Sequence, residues 1–199
     1  MNYPSSSRTN TDKYITYANR GMSLEEDINL TNDYYLTNDI AVIHKKPTPI
    51  QATKVVFRNN KKVITEGYFK TPSTTDYNGI YKGLYVDFEA KETKSKTAFP
   101  LSNIHEHQIK HIKRIIDHGG ISFLIVRFTS LNDTYLLKGI DLINYLDGNR
   151  SSIPLSYFIE KGIIIKESYQ PRIDYIKIID TLIKEWIYEE DYQNIKESI

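Results

Sequence analysis

Glu89 and Lys91 stand two residues apart in the run Leu84-Tyr85-Val86-Asp87-Phe88-Glu89-Ala90-Lys91, where apolar and charged residues alternate. In an extended strand this period puts Val86, Phe88 and Ala90 on one face and Asp87, Glu89 and Lys91 on the other. A carboxylate beside an ammonium does little for stability, since an exposed pair contributes about 0–1 kcal/mol. Its chemical use is stronger. Thirteen residues before Glu89, Asp76 lies in Thr75-Asp76-Tyr77-Asn78-Gly79, turn chemistry from which the chain can return alongside strand 84–91. Two carboxylates and a lysine can then converge. Carboxylate oxygens with open water positions suit Mg²⁺, which can activate a water and stabilise the charge of a pentavalent phosphorane-like state. Lys91 would add a positive group near the attacking water or the transition-state oxygens.

Other groups compete for attention. Asp87 shares the face of Glu89 and ranks nearly level with Asp76 as the second carboxylate, against the plainer reading of a solvated strand residue. His105, His107 and His111 include an i, i+4 pair, but no Glu of a metalloprotease motif lies between them and no third ligand is evident. They read as a surface or DNA-facing cluster. Glu26 reads as a helix cap, and Glu25 could point toward the site. The chain contains no cysteine, which excludes disulfides, thiolate zinc sites and cysteine nucleophiles.

The 199 residues carry a formal net charge of +1, a total that hides unlike parts. Residues 41–70 hold Lys45, Lys46, Lys54, Arg58, Lys61, Lys62 and Lys70 against Glu66 alone, a local charge of +6, with Phe57, Tyr68 and Phe69 among them. Basic groups interleaved with aromatics suit a surface that neutralises phosphates and stacks on bases. Taken alone, the stretch reads more simply as a solvated hairpin whose lysines keep an edge strand from pairing. The candidate DNA contacts are Arg20, Lys45, Lys46, Arg58, Lys61, Lys62, Phe69 and Lys70. Arg20, in an otherwise uncharged turn, could grip a phosphate or tie the chain to the first helix. No apolar run approaches the roughly 20 residues that span a bilayer, and no secretory signal opens the chain. A soluble cytoplasmic protein is expected.

Residues 1–18 are polar and aperiodic, the pattern of a flexible arm, and 19–199 read as one domain. Ser23-Leu24-Glu25-Glu26 has capping-box spacing and predicts a helix to about Leu36. A strand over 40–44 follows, closed by Lys46-Pro47 and Pro49. Strands 52–58 and 62–70 flank Asn59-Asn60, residues that tolerate positive φ, and predict a long hairpin. Asn103 is the expected cap of a helix over 104–118 ended by Gly119-Gly120, before strands 121–127 and 133–138. Helices near 139–146 and 172–190 complete the chain, the latter with Ile173, Ile176, Ile179, Ile183, Trp186 and Ile187 at helical spacing. The order of elements predicts an α/β or α+β fold with a mixed sheet.

Written as a pattern, the candidate residues are Asp76-(x12)-Glu89-Ala90-Lys91, which resembles the signature of the PD-(D/E)xK nuclease superfamily. The surrounding residues are more specific. Asn19-Arg20-Gly21-Met22-Ser23-Leu24-Glu25, Ala41-Val42-Ile43-His44-Lys45-Lys46-Pro47-Thr48-Pro49, Ser73-Thr74-Thr75-Asp76-Tyr77-Asn78-Gly79, Asp87-Phe88-Glu89-Ala90-Lys91-Glu92-Thr93, His107-Gln108 and Pro171-Arg172-Ile173-Asp174-Tyr175 look like RecU-type Holliday junction resolvases. This resemblance runs in order from about residue 17 to about 183. It implies an α/β, restriction-endonuclease-like mixed β-sheet flanked by helices, with a protruding β-hairpin stalk at about 47–72. It also implies a homodimeric, Mg²⁺-dependent endonuclease, with Mn²⁺ as a substitute metal, that cuts four-way junction DNA symmetrically in recombination and DNA repair. Recombinase and branch-migration proteins are the implied protein partners. By the same resemblance Thr74, Asp76, Glu89 and Gln108 would be the metal ligands and Lys91 the transition-state stabiliser. The hairpin tip Phe57-Arg58-Asn59-Asn60-Lys61-Lys62 departs from the Pro-Lys-Arg type of tip that such proteins carry, so individual tip contacts do not transfer. A junction-binding modulator of recombination without cleavage, and a sequence-specific restriction-type nuclease, are the alternative readings.

Overall fold

A computed structural model describes residues 22–70, 74–148 and 150–184. The arm over 1–18, Arg20, Ser73, residues 71 and 72 at the end of the expected hairpin, and Trp186 and Ile187 of the last helix lie outside the described residues. The first helix, α1 (Leu24–Thr37), starts as its capping box predicts: Ser23 Oγ accepts the Glu26 N–H at 3.3 Å and Glu26 Oε2 accepts the Ser23 N–H at 2.9 Å. A third cap comes from far along the chain. Glu92 Oε1 accepts the Leu24 N–H at 2.8 Å, fixing the helix N-terminus to the end of the strand that carries Glu89 and Lys91.

Six strands form the main sheet: β1 (Val42–Lys45), β4 (Tyr77–Tyr81), β5 (Leu84–Thr93), β7 (Ile121–Phe128), β8 (Asp133–Lys138) and β10 (Ile163–Ile164), in that spatial order. Among these, only the central pair, β5 with β7, runs parallel. A parallel pair needs a crossover, and here it is α2 (Glu106–Asp117), which packs on the sheet between them in the chain. The fold is therefore a large mixed sheet flanked by helices.

Tyr77, Asn78 and Gly79 were expected in a turn, yet they belong to β4. Burial decides this: Tyr77 stacks on Phe88 with ring centres 4.8 Å apart, and Phe88 on Phe123 at 4.7 Å. Gly79 serves close approach instead of turning, because a Cβ there would lie 2.0 Å from the Val42 carbonyl oxygen on β1. The actual β4–β5 turn is Lys82-Gly83, with φ of 49° and 79°.

Two apolar layers sandwich the sheet. Val86, Phe88, Phe123 and Ile125 pack against Leu24 and Ile28 of α1 and against Tyr175, Ile176 and Ile179 near the C-terminus. On the opposite face Leu124, Val126 and Leu137 pack against Ile112 of α2, Leu142 of α3 (Gly139–Leu146) and Phe158 of α4 (Leu155–Lys161). Asp87 and Glu89 face this second side. The cap of α2 is His105 and not Asn103, which ends a 3₁₀ turn over Leu101–Asn103: the Gln108 side chain accepts the His105 N–H at 3.0 Å and starts the helix there. The last helix, α5, described over 176–184, begins later than the expected 172, because Ile173 bridges Glu167 in extended backbone. Helix α4, the edge strand β10 and the small sheet of β6 (Ala98–Pro100) with β9 (Ser152–Pro154) were not foreseen.

The predicted hairpin forms a separate two-stranded sheet, β2 (Ile50–Arg58) with β3 (Lys61–Phe69). Asn59 and Asn60 take φ of 47° and 58°, as their types allow. Its residues are almost all exposed. Among the described residues no helix is long and apolar enough to cross a membrane.

Candidate active site

Strand β5 supplies Glu89 and Lys91, and the segment entering β4 brings Asp76 to them. The Asp76 N–H donates to Glu89 Oε2 at 3.1 Å, while Lys91 Nζ lies 2.6 Å from Glu89 Oε1. The Asp76 carbonyl in turn accepts the Lys46 N–H at 2.7 Å, which clamps the segment to the end of β1. The expected trio is thus together. Glu89 is fully buried, and burial pushes its carboxyl up to about 7; the adjacent Asp76 adds to the rise and the Lys91 ammonium opposes it. Glu89 Oε1 is closed off from solvent and, among the described residues, receives no hydrogen bond of ordinary geometry, so the compensation seen there is the nearby ammonium. A buried carboxylate this poorly served is suited to a cation.

Thr74 lies beside Asp76 in the wall of a cleft of about 310 Å³, shared with Lys45, Lys46, Pro47, Thr48, Pro49 and Thr75. Gln108 is buried on α2, but its carbonyl oxygen, the atom a metal would use, accepts the His105 N–H. Among the described residues no three of His, Cys, Asp and Glu gather as a metal cage. The donors available are hard oxygens and few. Such a set fits Mg²⁺, which keeps several waters and takes one or two protein carboxylates, better than it fits Zn²⁺.

Asp87, read as a possible solvated residue, has no exposed surface at all. Its Oδ1 accepts the Thr75 hydroxyl, and its Oδ2 accepts Lys46 Nζ at 2.8 Å, the Tyr85 hydroxyl at 3.0 Å and the His111 Nε2–H at 3.2 Å. His111 therefore turns inward and does not join a surface histidine cluster, although His105 and His107 do stack with ring centres 5.4 Å apart. Lys46, expected to face DNA, spends its ammonium on Asp87 and Thr75. Lys45 pairs with Glu25, which places that acidic residue near the site as the sequence suggested.

The remaining candidates lie on the hairpin. Arg58, Lys61 and Lys62 flank its tip, with Lys62 Nζ 5.9 Å from the centre of the Phe57 ring. Phe69 and Lys70 stand at its base, Phe69 74% exposed, an unusual position for a large apolar ring. Sequence reasoning missed a second buried charge group beneath α1. Arg127 donates to Asp27 Oδ2 at 2.7 Å, to Thr134 Oγ1 at 3.1 Å and to the Met22 carbonyl at 3.3 Å, and Arg172 reaches Asp27 Oδ1 at 2.9 Å. The signal was available: an arginine inside the mostly apolar strand 121–128 is rarely buried unless it is paired.

Comparison with known proteins identifies the relatives of the chain. The profile of the RecU family, described as recombination protein U, matches residues 19–181. Proteins named Holliday junction resolvase RecU from Bacillus cereus (strain AH820), Bacillus anthracis (strain CDC 684 / NRRL 3495) and Bacillus thuringiensis subsp. konkukian (strain 97-27) are similar to it. Each is 53% identical over 175 residues, covering 85% of this chain and 88% of the relative. The chain belongs to the RecU family.

Proposed function

We propose that the chain is a structure-specific endonuclease that resolves Holliday junctions by paired phosphodiester cleavage in recombination and DNA repair. The observation that carries this reading is the junction of Asp76 with Glu89 beside Lys91, on the central parallel strand of a mixed sheet, in a chain whose relatives bear that name. The domain over 19–199 is of restriction-endonuclease-like type, with β2 and β3 as a stalk that enters the junction. Asp76, Glu89 and Thr74 would hold Mg²⁺, and Mn²⁺ in its place. Gln108 would join them once its oxygen leaves the helix cap. A bound ion would supply Lewis acidity toward the scissile phosphate and a lowered pKa for water. Lys91, held 2.6 Å from Glu89, is placed to stabilise the charge that develops on the phosphate oxygens. Glu89 must give up its proton to act as a ligand, and with its carboxyl at about 7 this happens near neutrality.

The hairpin supplies the phosphate contacts, with Arg58, Lys61 and Lys62 at the tip and Phe69 and Lys70 at the base. A C₂ homodimer would present two identical sites to a substrate that has two-fold symmetry. The test is cleavage of a synthetic four-way junction with Mg²⁺. Wild type is expected to nick two opposed strands and Asp76→Ala to bind the junction without cutting it. Equal cutting by both would remove Asp76 from the site. Binding without cutting by the wild type would make the chain a junction-binding modulator.

A further inference from the structure

Asp87 has no part in the metal set, yet it is the most heavily bonded carboxylate on the strand. Burying a charge is costly unless hydrogen bonds serve it, and Asp87 collects partners from four separate places: Thr75 before β4, Lys46 after β1, Tyr85 on β5 and His111 on α2. Two of these partners border the catalytic segment. Thr75 immediately precedes Asp76, and Lys46 uses its backbone N–H on the Asp76 carbonyl and its ammonium on both Thr75 Oγ1, at 3.2 Å, and Asp87. The Thr75–Asp76 segment is thereby held at three points: by its threonine hydroxyl, by its aspartate carbonyl and by its aspartate N–H on Glu89. The Asp87 carboxylate bears on two of the three, because it accepts the Thr75 hydroxyl and also pairs with the side chain of Lys46, the residue whose backbone N–H holds the Asp76 carbonyl.

We infer that Asp87 is a positioning residue of the nuclease site, whose buried carboxylate fixes the Thr75–Asp76 segment and Lys46 so that Asp76 meets Glu89. This rests on the nuclease reading given above. In this role Asp87 acts through Thr75 and Lys46 and not by contact with substrate or metal. In Asp87→Asn the amide must turn one N–H₂ toward a donor. Facing Lys46, it sets a donor against an ammonium; facing Thr75, it leaves the hydroxyl without its acceptor. Either way one of the two holds, on Lys46 or on Thr75, is lost while the shape is kept.

The experiment compares wild type, Asp76→Ala, Asp87→Asn, Thr75→Val and Thr75→Ser on a synthetic four-way junction, with retention of the same junction measured in EDTA. Thr75→Val breaks the tether from its other end and leaves Asp87 its remaining partners, so it serves if Asp87→Asn fails to fold. Groups that orient a metal ligand typically change activity by about 10- to 100-fold, and kcat in Asp87→Asn and Thr75→Val should fall by that factor. Junction retention in EDTA should be unchanged, and Thr75→Ser, which keeps the hydroxyl, should cut as the wild type does. The double variant Asp87→Asn/Thr75→Val should lose less than the two single losses combined, because both act on the same hold of the Thr75–Asp76 segment. In the metal-free protein the Asp76 amide resonance should move in Asp87→Asn and Thr75→Val and stay in place in Thr75→Ser. Wild-type kcat in Asp87→Asn and Thr75→Val, with Asp76→Ala inactive, would overturn the positioning role and leave the nuclease reading intact. Loss of kcat with an unmoved Asp76 amide, or with fully additive effects, would overturn it too. Full cutting by Asp76→Ala would instead sink the reading on which it rests.

Discussion

Replacing Glu89 by glutamine should stabilise the metal-free protein, and by an amount that depends on pH. Burial raises the Glu89 carboxyl from the ordinary 4.5 to about 7, so the folded state holds a proton that the unfolded chain releases between those values. Below about pH 4.5 both states are protonated and the group is neutral toward stability. As pH rises toward 7 the unfolded chain ionises freely while the folded state cannot, and wild-type stability falls. Above 7 the full interval applies, about 3 kcal/mol at 1.36 kcal/mol per pH unit. The amide of Glu89→Gln carries no charge and is spared this loss. Urea unfolding in EDTA should therefore show Glu89→Gln gaining up to about 3 kcal/mol on the wild type between about pH 5 and pH 8.5. For a chain of this size that corresponds to about 6–12 °C in melting temperature. Any offset that does not depend on pH cancels in the comparison. Mg²⁺ should close most of this gap at pH 8.5: a hundredfold excess over Kd returns about 2.7 kcal/mol to the wild type and little to the variant. A stability difference that is flat with pH, or a wild type that gains on the variant as pH rises, would refute the reasoning.

Two further outcomes test the parts that surround the site. Removing Arg58, Lys61 and Lys62 together should lower the salt dependence of junction binding by about 0.9 in log–log slope for each phosphate that is no longer neutralised, read by titration across salt concentrations; an unchanged slope and junction preference would dismiss the hairpin as a DNA arm. Gly79→Ala should cost about 3 kcal/mol in urea unfolding, the upper part of the usual overpacking range, because its methyl group would lie 2.0 Å from the Val42 oxygen and force β1 off β4. A near-neutral Gly79→Ala would show that β1 can shift at no cost.

Local chemistry made much of this legible in the sequence. The capping box of α1, the Asn59-Asn60 turn and the alternation along β5 each rest on a few adjacent residues, and all three form as read. The Asp76–Glu89–Lys91 grouping was also readable, since spacing two on a strand and a returning chain leave little freedom. What failed depended on distant partners. Tyr77-Asn78-Gly79 carries turn residues, but stacking of Tyr77 on Phe88 and the approach of β1 to Gly79 override that preference. Asp87 resembled a solvated residue because the four groups that bury it come from positions 46, 75, 85 and 111. Helix α4 spans only seven residues behind a proline, too short for a periodic signal.

The place of the hairpin in the chain has a consequence of its own. It leaves after β1 and returns before β4, and those two strands are already neighbours in the main sheet, joined at their ends by the Lys46 to Asp76 hydrogen bond. The arm is thus an insertion into an ordinary two-strand connection. The sheet closes with or without it, and the entropic penalty of a longer connection grows only with the logarithm of its length. Its reach, charge and tip residues can drift between relatives while the cutting centre stays constant, so substrate geometry and bond-breaking chemistry can evolve as separate variables.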